Sequence, residues 1–158
     1  MTADAPALQR VLLLNGPNLN LLGRRDPAQY GTATLADVEA LAVATGAQLG
    51  LEVVCRQSNH EGVLVDLVQA APGDGFAGIV MNPGAYAHYS YALRDAVDAV
   101  DLPCVEIHIS NVHAREPFRH LSVTAPVMAG FICGCGVAGY ELGVRALASR
   151  LEPSLGPR

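Results

Sequence analysis

Short apolar runs alternate with longer stretches of helical spacing along this chain. Residues 11–14 form an uninterrupted apolar run, and residues 35–49 then place apolar side chains at helical intervals. Thr34 stands as the N-cap of that helix and Asp37 lies in its first turn, while Gly46 weakens it near its end. Residues 51–55 read as a second strand, 62–71 as a second helix closed by Pro72-Gly73, 76–81 as a third strand and 89–100 as a third helix. A fourth strand follows at 103–109, a fifth at 128–133 and a last helix at 137–151, with no clear period over 118–125. Alternating β and α units at this spacing predict a parallel sheet wrapped by helices on both faces. Right-handed crossovers leave few topologies. Five strands point to an α/β, flavodoxin-like three-layer sandwich with a five-stranded parallel sheet in the order 2-1-3-4-5. Residues 10–151 would form a single domain, with flexible tails at 1–9 and 152–158.

The fourth run departs from this scheme. Parallel strands are buried on both faces and read as near-continuous Val, Ile and Leu. Here Glu106, His108 and Ser110 recur at every second position and share one face. Local rules broken in this way mark functional sites. Glu106 is placed to orient His108, as carboxylates do for catalytic imidazoles, and Ser110 to contact an anion at the strand end. A second polar segment, N-G-P-N-L-N-L-L-G-R-R-D-P-A-Q-Y-G over residues 15–31, follows the first strand. Both lie at strand ends, where open α/β folds build their sites. Within the second segment, Gly23 and Gly31 read as hinges of a lid that carries Arg24, Arg25 and Tyr30. A free phenol is a poor base at neutral pH, and neighbouring cations favour its ionised form. The third strand ends in Asn82-Pro83-Gly84 with His88 beyond it. That sequence reads equally as a plain turn or as two hydrogen-bonding groups above the sheet edge.

Composition narrows the chemistry. All ten basic residues of the 158 are arginine, and the net charge is −5. A chain without lysine forms no side-chain Schiff base, anchors no pyridoxal phosphate and lacks the amine of a Walker-type loop. An acidic balance argues against a nucleic-acid binder, although local arginines still set the potential inside a cleft. The sequence contains no membrane-length apolar run, and its first nine residues lack a signal peptide's pattern, so a cytoplasmic location is expected. The four cysteines, Cys55, Cys104, Cys133 and Cys135, sit in apolar segments and are expected as small core residues, with no metal site. Gly134-Cys135-Gly136-Val137-Ala138-Gly139 matches a dinucleotide fingerprint, but no acidic strand follows it, so close packing of the last helix is the expectation. A serine hydrolase would need a nucleophile elbow, and no serine here has that context.

Several blocks in one order carry a family resemblance: Asn15-Gly16-Pro17-Asn18-Leu19-Asn20, Leu22-Gly23-Arg24-Arg25, Tyr30-Gly31, Gln57 through Gly62, Asn82-Pro83-Gly84, Ala92-Leu93-Arg94-Asp95 and Glu106 through Arg115. From about Val11 to Leu151 the chain resembles type II 3-dehydroquinate dehydratase, a lyase of the shikimate pathway, and thus of chorismate and aromatic amino acid biosynthesis. The resemblance implies conversion of 3-dehydroquinate to 3-dehydroshikimate and water by anti elimination through an enolate, with no cofactor. It implies Tyr30 as the base at C2, Arg25 as the lid cation beside it and Asn18 as holder of a water at the enolate oxygen. His108 would be the acid for the C1 hydroxyl, with Glu106 behind it. Asn82, Ile109 and Ser110 would bind substrate, His88 and Arg119 would clamp the ring hydroxyls, and Asp95 would reach a neighbouring subunit's site. It further implies a homododecamer built as a tetramer of trimers. The alternative is a flavodoxin-like binding module, which needs a phosphate-cradling loop after the first strand, where Pro17 instead removes an N–H donor.

Overall fold

The computed structural model describes residues 8–152. Its centre is a five-stranded parallel sheet of β1 (Gln9–Asn15), β2 (Leu51–Gln57), β3 (Phe76–Asn82), β4 (Cys104–His108) and β5 (Gly130–Cys133). The strand order is β2-β1-β3-β4-β5, as expected from the alternation of elements. Five α-helical segments accompany it: a single turn α1 (Pro27–Tyr30), α2 (Leu35–Gln48), α3 (Glu61–Ala70), α4 (Tyr91–Ala99) and α5 (Ala138–Leu151).

The two periodicities of the sequence decide how these layers meet. β1 is apolar at every position from Val11 to Leu14 because both of its faces are covered. Val11 and Leu13 pack with residues of α2 and α5, including Val38, Val144 and Leu147. Leu12 and Leu14 point the other way, onto Leu64 and Val68 of α3 and Leu93 and Val97 of α4. Each of these fully buried side chains contributes roughly 1.5–3 kcal/mol of transfer free energy.

Local chemistry sets the element boundaries. Thr34 caps α2 as expected: its Oγ1 accepts from Asp37 N at 3.2 Å, and Asp37 Oδ2 accepts from Thr34 N at 2.8 Å. Gly46 does more than weaken α2, since any Cβ there would collide with Val53 of β2. The third helix starts two residues later than its spacing suggests, because Ser90 Oγ accepts from Leu93 N and caps it. The unpatterned segment contains a 3-10 turn at Pro117–His120, and a further turn at Ala125–Val127 delays β5 to Gly130.

The expectation of four core cysteines is corrected in part. Cys104 is buried, and burial pushes its thiol up to about 12. Cys55 is half-buried with its thiol raised to about 11, chiefly by desolvation. Cys133 is also intermediate, and Cys135 is exposed, because it sits in the tight turn after β5 rather than on the strand. β1 begins at Gln9, inside the expected amino-terminal tail. Apart from Leu8, Gln9 and Glu152, the two expected tails lie outside the described residues.

Candidate active site

The carboxyl ends of β1, β3 and β4 converge on one cleft of about 100 Å³. Of the eleven residues expected at the site, nine line it: Asn18, Arg25, Tyr30, Asn82, His88, His108, Ile109, Ser110 and Arg119. Glu106 stands behind His108, and Asp95 lies elsewhere, exposed on α4 and paired with Arg94 at 3.2 Å.

The period-two polar row of β4 builds one wall. Glu106 is fully buried, and His108 Nε2 donates to its Oε1 at 2.7 Å. Ser122 Oγ donates to the same oxygen at 3.0 Å, and Thr124 Oγ1 donates to Oε2 at 2.6 Å. Three donors on one carboxylate are what a group with no access to water requires. They fix the imidazole with Nε2 inward, leaving Nδ1 as its free nitrogen. Ser122 and Thr124 lie in the segment whose pattern was unreadable. Their signal was a Ser-x-Thr pair, which local spacing does not distinguish from a surface loop.

The lid supplies the opposite wall. Asp26 caps α1 by accepting from Ala28 N at 3.0 Å, and Pro27 occupies its first turn, so Tyr30 stands at the end of a single capped helical turn. The Arg25 guanidinium carbon lies 4.2 Å from the centroid of the Tyr30 ring. Arg115 Nη1 donates to Tyr30 Oη at 2.9 Å and to Ser110 Oγ at 3.0 Å. Tyr30 therefore has two cations against it, one over its ring and one on its oxygen. Arg115 also lines the cleft, and sequence reading gave it no role of its own. Beyond Tyr30 and Arg115 the cleft adjoins a wider cavity of about 560 Å³ that both residues also line.

The remaining groups close the cleft. His88 Nδ1 donates to Leu121 O at 2.8 Å, and desolvation holds this imidazole below its ordinary value, so Nε2 is left as a hydrogen-bond acceptor. Its ring stacks on His108 at 6.2 Å. Arg119 is held by Glu116 at 2.7 Å, on the turn that Pro117 initiates. Asn18 takes the left-handed conformation at φ 67°, and its N–H donates to Asn59 Oδ1 at 2.9 Å, which anchors the loop after β1.

The fingerprint-like glycines brace the end of β4. Gly134 N donates to His108 O at 3.3 Å and Gly136 N to Ile109 O at 3.0 Å. Gly134 and Gly136 both have positive φ, at 82° and 61°. These amides are occupied by the end of β4 and do not form a phosphate cradle, which agrees with the packing expectation.

A five-stranded parallel sheet in this order with a polar cleft at its strand ends defines the flavodoxin-like α/β class, in a chain that has no lysine with which to form an imine. Residues 9–148 match the family described as Dehydroquinase class II, and the chain belongs to that family. A 3-dehydroquinate dehydratase of a Chelativorans species is 61% identical over 142 residues, which are 89% of this chain and 97% of the relative. The 3-dehydroquinate dehydratase of Thermus thermophilus is 58% identical over 142 residues, covering 90% of this chain and 95% of that protein. The crystal structure of a type II dehydroquinase from Butyrivibrio crossotus superposes with a TM-score of 0.88 at 46% identity, covering 90% of this chain and 99% of the other.

Proposed function

We propose that this chain dehydrates 3-dehydroquinate to 3-dehydroshikimate in the shikimate pathway, by anti elimination through an enolate. The observation that carries this reading is the pairing in one cleft of a tyrosine flanked by two guanidinium groups with a carboxylate-backed histidine. In the first step the Tyr30 phenolate takes the C2 proton, and the electron pair moves onto the neighbouring ketone oxygen. Arg25 and Arg115 balance the phenolate charge before the transfer, and Asn18 supports the enolate oxygen through a water. In the second step the enolate pair forms the C1–C2 double bond, and the C1 hydroxyl departs as water with a proton from His108 Nδ1. Glu106 stabilises the imidazolium that precedes this transfer. Ile109, Ser110 and Asn82 bind substrate, while His88, accepting through Nε2, and Arg119 hold the ring hydroxyls. The test is an ultraviolet assay with purified protein and 3-dehydroquinate. Absorbance of the conjugated enone is expected to rise, and to rise equally with borohydride present. No enone, or a reduced covalent adduct, would refute the reading.

The assembly follows the same line. Phe118 sits edge-on to His88 and Phe131 is tilted against His108, and both are exposed beside the cleft. Tyr91 is also exposed and lies one turn before the exposed Asp95 on α4. Exposed aromatic side chains beside the cleft and on α4 are suited to closed symmetric contacts in a trimer, four of which would form the dodecamer. Asp95 then acts on a neighbour's site. Inactive Asp95→Ala and Tyr30→Phe subunits, unfolded together and reassembled at equal ratio, are expected to regain activity in about a quarter of sites, the statistical share with both groups intact. No recovery in a correctly sized oligomer would remove Asp95 from the shared site.

A further inference from the structure

We infer that Tyr140, on α5, is a positioning residue that fixes the amide of Asn82 toward the substrate, with Asn15 setting the direction of the hydrogen-bond chain. The inference rests on the reading of Asn82 as a substrate-binding group.

Asn15 and Asn82 are register partners at the ends of β1 and β3, and both are buried. They lie on the α5 side of the sheet, where Tyr140 is fully buried beneath them. Asn82 Nδ2 donates to Tyr140 Oη at 3.1 Å, and Tyr140 Oη donates to Asn15 Oδ1 at 2.7 Å. The other end of the Asn82 amide is fixed as well, since Gly84 N donates to its Oδ1 at 3.2 Å.

Donor inventory makes this chain directional. Gly84 N can only donate, so the Asn82 oxygen must face it and the nitrogen must face Tyr140. A phenol that accepts from Asn82 has one proton to place, and Asn15 Oδ1 takes it. Turning either amide over would set donor against donor. Asn82 is thereby locked with its second N–H free for the cleft it lines. Burial pushes the Tyr140 phenol far above its ordinary value, so it keeps the proton that the chain needs.

A cost of this arrangement is visible. Asn15 Nδ2 is buried without a hydrogen-bond partner, the only such side-chain atom among the described residues. Buried polar groups are nearly always paired, and an exception needs a reason. Here the reason is that Asn15 is required as an acceptor for Tyr140.

The test is a double-mutant cycle in the intact protein, followed by enone absorbance and by thermal melting. Tyr140→Phe keeps the ring and removes the hydroxyl, and is expected to lower kcat/KM about tenfold, mainly through KM. Asn82→Ala should lower it at least as far, and adding Tyr140→Phe to Asn82→Ala should change it by less than about twofold. Should Tyr140→Phe not fold, Asn15→Ala serves in its place. It frees the Tyr140 proton, and should raise KM about threefold in the wild-type background and not in Asn82→Ala. Effects that multiply in the double variant would make Tyr140 a purely structural residue and overturn the inference. If Asn82→Ala alone matched wild type, the binding role of Asn82 would fall first and the inference with it.

Discussion

Tyr30→Phe is expected to lower kcat about a thousandfold, at the level that loss of a positioned general base produces. The substitution keeps the ring that Arg25 stacks on at 4.2 Å, so the lid retains its packing. It removes the oxygen that accepts from Arg115 at 2.9 Å, the proton acceptor of the proposed first step. A factor of a thousand corresponds to about 4 kcal/mol of transition-state stabilisation. Turnover of 3-dehydroquinate, followed by enone absorbance, checks it. Retention of more than a tenth of wild-type turnover would mean that Tyr30 is not the base.

His108→Ala is expected to cost about 10²–10⁴ in turnover, the range for loss of a general acid. The structural reason is the fully buried Glu106, whose oxygens receive His108, Ser122 and Thr124. Removing the imidazole leaves that carboxylate with two donors and no cationic partner in the second step. The proposed first step does not use His108, so substrate enolisation is expected to continue while water loss stalls. Loss of folding is the competing explanation, and a thermal melt resembling wild type would set it aside.

The architecture was readable because each element obeys one period. Residues 11–14 are apolar throughout and both of their faces are covered, whereas 106, 108 and 110 break that rule at period two and mark the wall of the cleft. Thr34 and Asp37 announced the start of α2 by cap chemistry alone. What stayed hidden depends on contacts across the fold. Arg115 meets Tyr30 over 85 residues of separation, and in the sequence it is one more arginine on a turn. Tyr140 meets Asn15 over 125 residues and reads as part of the apolar face of a terminal helix. Ser122 and Thr124 belong to a segment without secondary-structure period, and only the buried carboxylate they satisfy gives them a purpose. Asp95 is the reverse case. Family resemblance drew attention to it, while in the single chain it does not line the cleft and lies exposed on α4.

The assignment of base and acid is tested most directly by proton exchange at C2. 3-Dehydroquinate is incubated in D₂O with wild type, Tyr30→Phe or His108→Ala, and deuterium at C2 of the recovered substrate is measured by NMR. The stepwise enolate account predicts that His108→Ala incorporates deuterium at C2 with little product, and that Tyr30→Phe incorporates none above background. Exchange that survives in Tyr30→Phe and disappears in His108→Ala would reverse the two roles and contradict the account.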